Sequence, residues 1–151
     1  MEEALDLPIE ISQGFTPVQL AQLLTILEEK DLSGKDVIFS QGQPADYIYI
    51  LCQGKVDIIH KPYDGQPFCV AQIEPGGVFG WSAVLHREVY TSSAICEVDC
   101  ELFRFSPLSL HQLCENHRET GIIFLSKIAD ILSKRMRCNR SYIFSMLLNY
   151  F

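Results

Sequence analysis

The fold is decided by residues 34–60, GKDVIFSQGQPADYIYILCQGKVDIIH. Three runs rich in Val, Ile, Phe and Tyr lie in this stretch, at residues 37–39, 47–52 and 55–60. Such residues favour strands, while the Gly- and Pro-containing segments 41–44 and 53–54 between them favour turns. The pattern therefore predicts short strands joined by tight turns.

The same pattern continues outward to about residue 106. Further β-rich runs occur at residues 68–73, 91–96 and 100–105, separated by turn segments at 63–65 and 74–77. Many short strands at near-regular spacing are typical of a β sandwich or roll. The predicted fold class is mainly β with flanking helices. It is a double-stranded β-helix or jelly-roll (cupin-like) β-roll, with an N-terminal helix before it and a long C-terminal dimerisation helix after it.

Two similar signals predict where helices begin. Thr16-Pro17-Val18-Gln19 supplies an N-cap, a proline at the first helical position and a capping-box glutamine. Ser106-Pro107 repeats the cap and proline, and predicts a short helix from Pro107 to about Asn116. We therefore divide the chain into an N-terminal helical segment (1–31), the β-roll (32–106) and C-terminal helices (107–151).

After Gly121 the sequence contains neither glycine nor proline. Residues at alternating spacings of three and four form a heptad pattern, here called the seam: Ile122, Leu125, Ala129, Leu132, Met136, Asn139, Ile143, Met146 and Tyr150. It predicts a helix of about 30 residues and about 45 Å, which one β-roll of this size does not cover. We expect a second copy to cover the seam in a homodimer. The alternative is a helix that bends back onto its own domain.

Charge and hydropathy exclude several classes of protein. With 12 basic and 19 acidic residues the formal charge is −7, which argues against coating nucleic acid through bulk charge. No apolar run reaches the roughly 18 residues of a membrane span, and the acidic start is unlike a signal peptide. We expect a cytoplasmic protein without membrane contact.

Chemistry-bearing residues do not form a recognisable catalytic or metal site. The six cysteines lack CxxC pairs and are expected to be reduced and mostly buried. Cys96 and Cys100 are four residues apart, so on a strand they would share a face but lie about 13 Å apart, which argues against a redox pair. His111, Cys114 and His117 lack a fourth zinc ligand, so no metal is expected. Neither a nucleophile elbow nor a Walker loop is complete, and no catalysis is expected.

The order of helix, β-roll, short helix and long helix resembles the cyclic nucleotide-binding domain of the Crp/Fnr type. Four motifs from Phe15 to Arg140 match that family in register: residues 34–42, 47–56, 75–80 and 122–140. The chain resembles a bacterial stand-alone member without a helix-turn-helix DNA-binding domain. The resemblance implies a regulatory role in signal transduction, in which a ligand in the roll shifts the long helix.

The resemblance also implies a phosphate-binding cassette after Gly80. In the family a glutamate follows this glycine and holds the ribose 2′-hydroxyl, and an arginine nine positions later pairs with the cyclic phosphate. Trp81 and Tyr90 occupy those two positions here. The ligand-binding residues implied by the resemblance are Gly80, Trp81, Ser82, Ala83, Arg87, Tyr90, Thr91 and Ser92.

The loss of both anchors changes the expected ligand. Removing the partner of a buried anion costs about 2–5 kcal/mol, or about thirtyfold to several thousandfold in affinity. Ordinary cAMP or cGMP binding is therefore not expected, although the N–H groups of Ser82 and Ala83 suit an anion. One alternative is that Trp81 and Tyr90 form an aromatic-walled pocket for a different, less anionic small molecule, with a cyclic nucleotide as the other possible ligand. The other is a degenerate, ligand-free module for dimerisation or protein docking, in which the aromatic side chains fill the pocket.

Two features of the C-terminal region suggest partners. The stretch from Lys127 to Arg140 carries a local charge of +4, which is interpreted as a solvated helix face or as a weak site for nucleic acid or an acidic partner. The apolar tail at 142–151 predicts an exposed interface, either with the dimer mate or with an effector protein.

Overall fold

The computed structural model describes residues 7–83, 88–136 and 140–151. Its described part contains eight strands in two four-stranded antiparallel sheets. The strands are β1 (Glu28–Leu32), β2 (Val37–Phe39), β3 (Ile48–Gln53), β4 (Val56–His60), β5 (Phe68–Ile73), β6 (Val78–Phe79), β7 (Ser93–Cys96) and β8 (Cys100–Phe105). The first sheet has the order β1-β8-β3-β6, and the second has the order β2-β7-β4-β5. The predicted jelly-roll fold with flanking helices is confirmed.

The chain divides into two compact units. Residues 29–107 form the β-roll, and residues 1–28 together with 108–151 form a helical unit. The described helices are α1 (Ile9–Ser12), α2 (Pro17–Leu24), α3 (Pro107–Asn116), α4 (Arg118–Met136) and α5 (Arg140–Tyr150).

The core of the roll is rich in aromatic side chains. Its buried cluster consists of Phe39, Tyr49, Leu51, Val56, Ile58, Ile73, Phe79, Tyr90, Ala94, Cys96, Cys100 and Leu102. Alternate residues of β3 belong to this cluster because successive side chains of a strand point to opposite faces. Full burial of one large apolar side chain contributes about 1.5–3 kcal/mol, so this cluster is a major source of the roll's stability.

Helix α2 begins as its sequence predicts. The Gln19 backbone N–H donates to Thr16 Oγ1 at 3.1 Å, and the Thr16 N–H donates to Gln19 Oε1 at 3.0 Å. This capping box satisfies two N–H groups that the first turn of a helix leaves without an intrahelical partner. The short helix predicted from Pro107 to Asn116 is also present, as α3.

The prediction of one continuous C-terminal helix is wrong. Helix α4 ends at Met136, α5 begins at Arg140, and α5 packs against α4, which a single straight helix does not allow. The alternative of a helix that bends back is therefore the one observed. Intrachain packing buries an apolar stripe without the entropy cost of association.

This packing places much of the seam inside the helical unit. Leu125, Ala129, Leu132 and Ile143 are each at most 4% exposed, while Ile122 is half-buried. Asn139 and the side chain of Met136 lie outside the described residues. Within the apolar tail, Ile143, Leu147 and Phe151 are buried, so these three side chains are not part of the exposed patch that was predicted.

Two strands and one helix were not predicted from the sequence pattern. Strand β1 has the sequence EEKDL, with half-buried and exposed side chains, and lies at the edge of its sheet. Strand β6 has only two residues and α1 only four, which is too short for a recognisable periodicity. Within the described ranges, the length and hydropathy needed to cross a membrane are not combined in any helix.

Candidate functional site

The cassette begins where β6 ends, at Gly80. This glycine has φ +87°, and a Cβ atom there would lie 3.0 Å from the Tyr47 carbonyl oxygen and 3.2 Å from Tyr49 Cδ1. Only glycine combines this backbone conformation with such a close approach. Gly80 therefore sets the start of the cassette directly against β3. A 3-10 helix, Trp81–Ala83, follows it.

Tyr90 is a core residue of the roll. Its side chain is 3% exposed, and its ring stacks on Phe39 with centroids 3.7 Å apart and planes 15° from parallel. Its hydroxyl donates to the Tyr47 carbonyl oxygen at 2.6 Å and accepts from the Tyr47 N–H at 3.1 Å. The residue at the predicted anion-pairing position is thus neutral and bound to the backbone of Tyr47, the residue directly before β3.

The Trp81 side chain is also hydrogen-bonded to the backbone of a residue nearby in the sequence. The ring is half-buried, and its Nε1–H donates to the Val78 carbonyl oxygen at 3.1 Å. An indole has no second polar atom and cannot accept a hydrogen bond from a hydroxyl at this nitrogen. Trp81 therefore contributes ring surface, but not the acceptor that a carboxylate provides.

The remaining predicted ligand residues have different surroundings. Ser82 and Ala83 are buried, and the Ala83 N–H donates to the Gly80 carbonyl oxygen at 3.3 Å. Thr91 is exposed and Ser92 half-buried. Arg87 lies outside the described residues.

A polar group beside Tyr90 was not predicted. Arg104 stands opposite Tyr49 in the β3–β8 register, and its Cζ lies 3.9 Å from the centroid of the Tyr47 ring. The ring centroids of Tyr47 and Tyr49 lie 6.4 Å apart, and Tyr47 is also the backbone partner of the Tyr90 hydroxyl. Burial raises the pKa of Tyr49, although the Arg104 guanidinium acts to lower it. The alternation of Tyr47 and Tyr49 signalled a shared face, but local sequence does not show that Arg104 faces them.

Burial likewise raises the pKa of Tyr90, so its hydroxyl stays neutral at physiological pH. A neutral tyrosine leaves Arg104 as the half-buried cation of this cluster, which we call the tyrosine–arginine corner: Tyr47, Tyr49, Tyr90 and Arg104. The arrangement can bind polar groups through a guanidinium. It contains no nucleophile activated by an adjacent base.

Cys96 and Cys100 do not lie along one strand, so the separation of about 13 Å that extended strand would give them does not apply. Cys96 is the last residue of β7 and Cys100 the first of β8, so the two belong to different sheets. Both are buried in the core cluster of the roll. The intervening residues 97–99 form a turn rather than extended strand, and the strand spacing does not apply.

The described parts of the helices contain no grouped metal ligands. Across residues 7–83, 88–136 and 140–151, no three His, Cys, Asp or Glu side chains are grouped to hold a metal ion. His111 Nε2 lies 2.9 Å from a Glu115 carboxylate oxygen. Lys127 is not the fully solvated side chain of the basic-face interpretation, because burial lowers its pKa and its Nζ lies 5.6 Å from the Phe15 ring centroid.

Comparison with known sequences identifies relatives of the roll. The family model of the cyclic nucleotide-binding domain matches residues 29–117. The CRP-like cAMP-activated global transcriptional regulator of Mycobacterium tuberculosis is 32% identical over 84 residues, which are 56% of this chain and 38% of the regulator. The cAMP-dependent protein kinase regulatory subunit of Blumeria graminis is 32% identical over 104 residues, covering 63% of this chain and 27% of the subunit. The chain thus spans well under half of these relatives.

Solved structures share the whole architecture. A cyclic nucleotide-binding domain from Methylobacillus flagellatus has a TM-score of 0.81 at 17% identity, covering 99% of this chain and 85% of that one. A protein from Geobacter metallireducens, described as cyclic nucleotide-binding, has a TM-score of 0.69 at 25% identity, covering 89% and 96%. The first likeness shows the fold alone, and it includes the helices as well as the roll.

Proposed function

The chain belongs to the cyclic nucleotide-binding domain family, and from that premise we propose that it is a non-catalytic regulatory domain that does not hold cAMP or cGMP through the family's usual side chains. The observation that carries the proposal is Tyr90. It stands where the resemblance implies a phosphate-pairing arginine, and both hydrogen bonds of its hydroxyl to Tyr47 are made with backbone atoms.

The energetic consequence follows from charge. An arginine–phosphate pair combines full opposite charges with two directed hydrogen bonds. A buried phenol whose pKa is raised supplies neither at physiological pH. The expected loss is about 2–5 kcal/mol, or about thirtyfold to several thousandfold in affinity.

Trp81 supports the same proposal at the sugar end of the cassette. The glutamate implied there accepts from a ribose hydroxyl, whereas the Trp81 nitrogen is a donor already bound to Val78. With neither anchor retained, the roll is a regulatory scaffold that retains the family's fold but not its two polar contacts.

Isothermal titration calorimetry with cAMP and with cGMP tests this proposal. We expect the wild type to bind either nucleotide at least about thirtyfold more weakly than the Trp81→Glu/Tyr90→Arg variant, which restores both side chains. Tyr90→Phe is the matched control, since it keeps the ring and adds no charge. Wild-type affinity equal to that of a folded double variant, and unchanged in Tyr90→Phe, would contradict the proposal.

A sensor for a different anionic small molecule is the second candidate function. Arg104 favours it, because this half-buried guanidinium belongs to the same corner as Tyr90. A thermal-shift panel of cyclic mono- and dinucleotides and nucleotides tests it in the wild type and in Arg104→Gln. A stabilising compound whose effect is lost in Arg104→Gln supports this candidate. A panel without any shift supports the ligand-free docking module instead.

We also propose a homodimer through the C-terminal helices. Among the seam residues whose side chains the structure describes, Ile122 is the half-buried one, and together with Ile123 and Phe144 it lines a cavity of about 430 Å³ in the helical unit. Light scattering at micromolar concentration should give a dimeric mass that Ile122→Glu reduces. Lys134→Glu, on an exposed side chain, should leave it unchanged. A monomeric wild type would contradict the dimer.

A further inference from the structure

Two buried thiols meet in the core of the roll. Cys96 ends β7 in one sheet and Cys100 begins β8 in the other, with a three-residue turn between them. The two residues are 0% and 2% exposed and belong to the same buried cluster. The turn therefore brings into one cluster two cysteines that a continuous strand would hold apart.

Backbone contacts of both cysteines fix this arrangement independently. Cys96 is the register partner of Val56 in the β4–β7 pair. The Cys100 thiol donates to the Lys55 carbonyl oxygen at 3.4 Å, and the Glu97 N–H donates to the same oxygen at 2.9 Å. A Cβ atom added to Gly54 would lie 2.7 Å from Cys100 Sγ. Both cysteines are thus held against the same three residues, 54–56.

We propose that Cys96 and Cys100 are a thiol-oxidation site, at which reaction with a low-molecular-weight disulfide forms an intramolecular disulfide between them. One protein thiolate attacks a sulfur of the oxidant, forming a mixed disulfide and releasing one small thiol. The second protein thiolate then attacks the protein sulfur of the mixed disulfide and releases the second small thiol. Two protein thiols are oxidised, and one small disulfide is reduced to two thiols.

The surroundings predict which thiol reacts first and how fast. Cys100 directly follows the exposed turn at 97–99, so it is the expected first nucleophile. Burial is the main cause that raises the pKa of Cys96 to about 12, which disfavours its thiolate. The oxidant reaches it through the turn at 97–99, whose three residues are all exposed, including Val98 at 48%. Oxidation is therefore expected to be slow and to follow local opening of this turn.

The disulfide would clamp a junction of the roll. The turn it closes also holds the loop before β2, because the Gly34 N–H donates to Asp99 Oδ1 at 2.9 Å and the Lys35 N–H to the Cys96 carbonyl oxygen at 2.7 Å. Closing a five-residue loop restricts the unfolded chain and links the two sheets covalently. We expect oxidation to raise the Tm by about 5 °C.

The experiment incubates the reduced full chain with oxidised glutathione, blocks remaining thiols with N-ethylmaleimide in denaturant, and maps the peptides. We expect Cys96 and Cys100 to be linked to each other and free of both reagents. Cys69, which is exposed, should carry glutathione and so report that the oxidant reached the protein. Glutathione on Cys69 with maleimide on both Cys96 and Cys100 would overturn the proposal.

Two matched variants separate the link from general oxidation. Cys96→Ser should lose both the cross-link and the rise in Tm. Cys114→Ser removes another buried thiol, in the helical unit, and should keep both. Dithiothreitol should reverse the rise in Tm. If Cys114→Ser abolished the link, or if Cys96→Ser kept the rise, the pairing would be refuted independently of the ligand proposal.

Discussion

The roll and the helical unit are both built around buried apolar residues, but different interactions hold them. In the roll, Tyr90 is fixed by a stacked ring and by two hydrogen bonds to Tyr47, and Gly54 and Gly80 take left-handed conformations against neighbouring backbone. In the helical unit, aliphatic side chains such as Leu125 and Leu132 are buried, and their helix α4 packs against α1, α2 and α5. The roll is therefore stabilised by contacts that require a specific geometry, and the helical unit mainly by apolar side chains that fill its interior.

The two cores should therefore tolerate different amino-acid substitutions. A volume-filled core accepts side chains of similar size, because packing is largely non-directional. A core with positive-φ glycines and bound hydroxyls loses specific contacts that no similar side chain replaces. Four substitutions and one change of pH test the contrast.

Gly54→Val should have the largest effect. Gly54 has φ +101°, and a Cβ atom there would lie 2.5 Å from the Asp99 carbonyl oxygen. Strain and backbone collision together should lower the free energy of unfolding by more than about 4 kcal/mol, measured by urea unfolding. Gly42→Val is the matched control, since its φ is +88° but nothing lies within 4 Å of its Cβ. Equal costs at the two sites would show that close packing at Gly54 is unimportant.

Leu132→Ala should have the next largest effect, in the helical unit. Leu132 is buried, so truncation leaves a cavity and should cost about 2–5 kcal/mol. Leu132→Met should cost much less, because it nearly conserves volume. Chemical denaturation monitored by circular dichroism measures both. If Leu132→Met were as damaging as Leu132→Ala, this core would be as directional as the roll.

Tyr90→Phe tests the hydrogen bonds of the Tyr90 hydroxyl, because it removes them while nearly conserving the volume of the side chain. Removing the hydroxyl takes a partner from both the N–H and the carbonyl oxygen of Tyr47, which should cost about 1–3 kcal/mol. Tyr63→Phe should cost nothing measurable in the same urea experiment, because Tyr63 is fully exposed. A Tyr90→Phe variant as stable as the wild type would show that the stacked ring alone fixes this position.

The pH dependence of stability tests the same hydroxyl. Burial raises the pKa of Tyr90 above its ordinary value of 10.0. A raised folded-state pKa contributes stability that is present below pH 10 and is lost as the pH rises toward the folded-state value. The free energy of unfolding should therefore fall above about pH 10, and less steeply in Tyr90→Phe. Parallel pH profiles for the two proteins would contradict this assignment.

Thr16→Ala should have the smallest effect. It removes the acceptor of the Gln19 N–H and so one half of the capping box of α2. The expected cost is about 1 kcal/mol in urea unfolding. Thr16→Ser keeps an acceptor and should recover most of the loss. If Ser were no better than Ala, the cap would not stabilise this helix.

Local signals predicted most of the roll. The strands Phe68–Ile73 and Cys100–Phe105 match their predicted residues, because turn residues mark the ends of apolar runs. Strand β1 (Glu28–Leu32) was not predicted because its sequence is mostly charged. It forms by pairing with β8 at the edge of its sheet. The seam correctly predicted that most of its described residues are buried. However, a heptad pattern does not show whether they are covered by a second chain or by a neighbouring helix of the same chain.

The candidate site could be predicted only in part. Register within the cassette located Trp81 and Tyr90 as the altered positions. The structural role of Tyr90 depends on Tyr47, 43 residues earlier, and on Phe39. The position of Arg104 depends on strand pairing with Tyr49. Such long-range contacts are set by the tertiary fold, so spacing in the sequence does not reveal them.

The division of the chain into units has a consequence for synthesis. Residues 1–28 and 108–151 share the helical unit, in which α1 and α2 both contact α4. Helices of four and eight residues are not stable in water by themselves. On the ribosome, the roll therefore has all its strands while the earliest-made helices still lack their partner. Ile11 and Leu23 are buried in the folded protein, and during synthesis we expect them to be exposed to chaperones until α4 has left the ribosome.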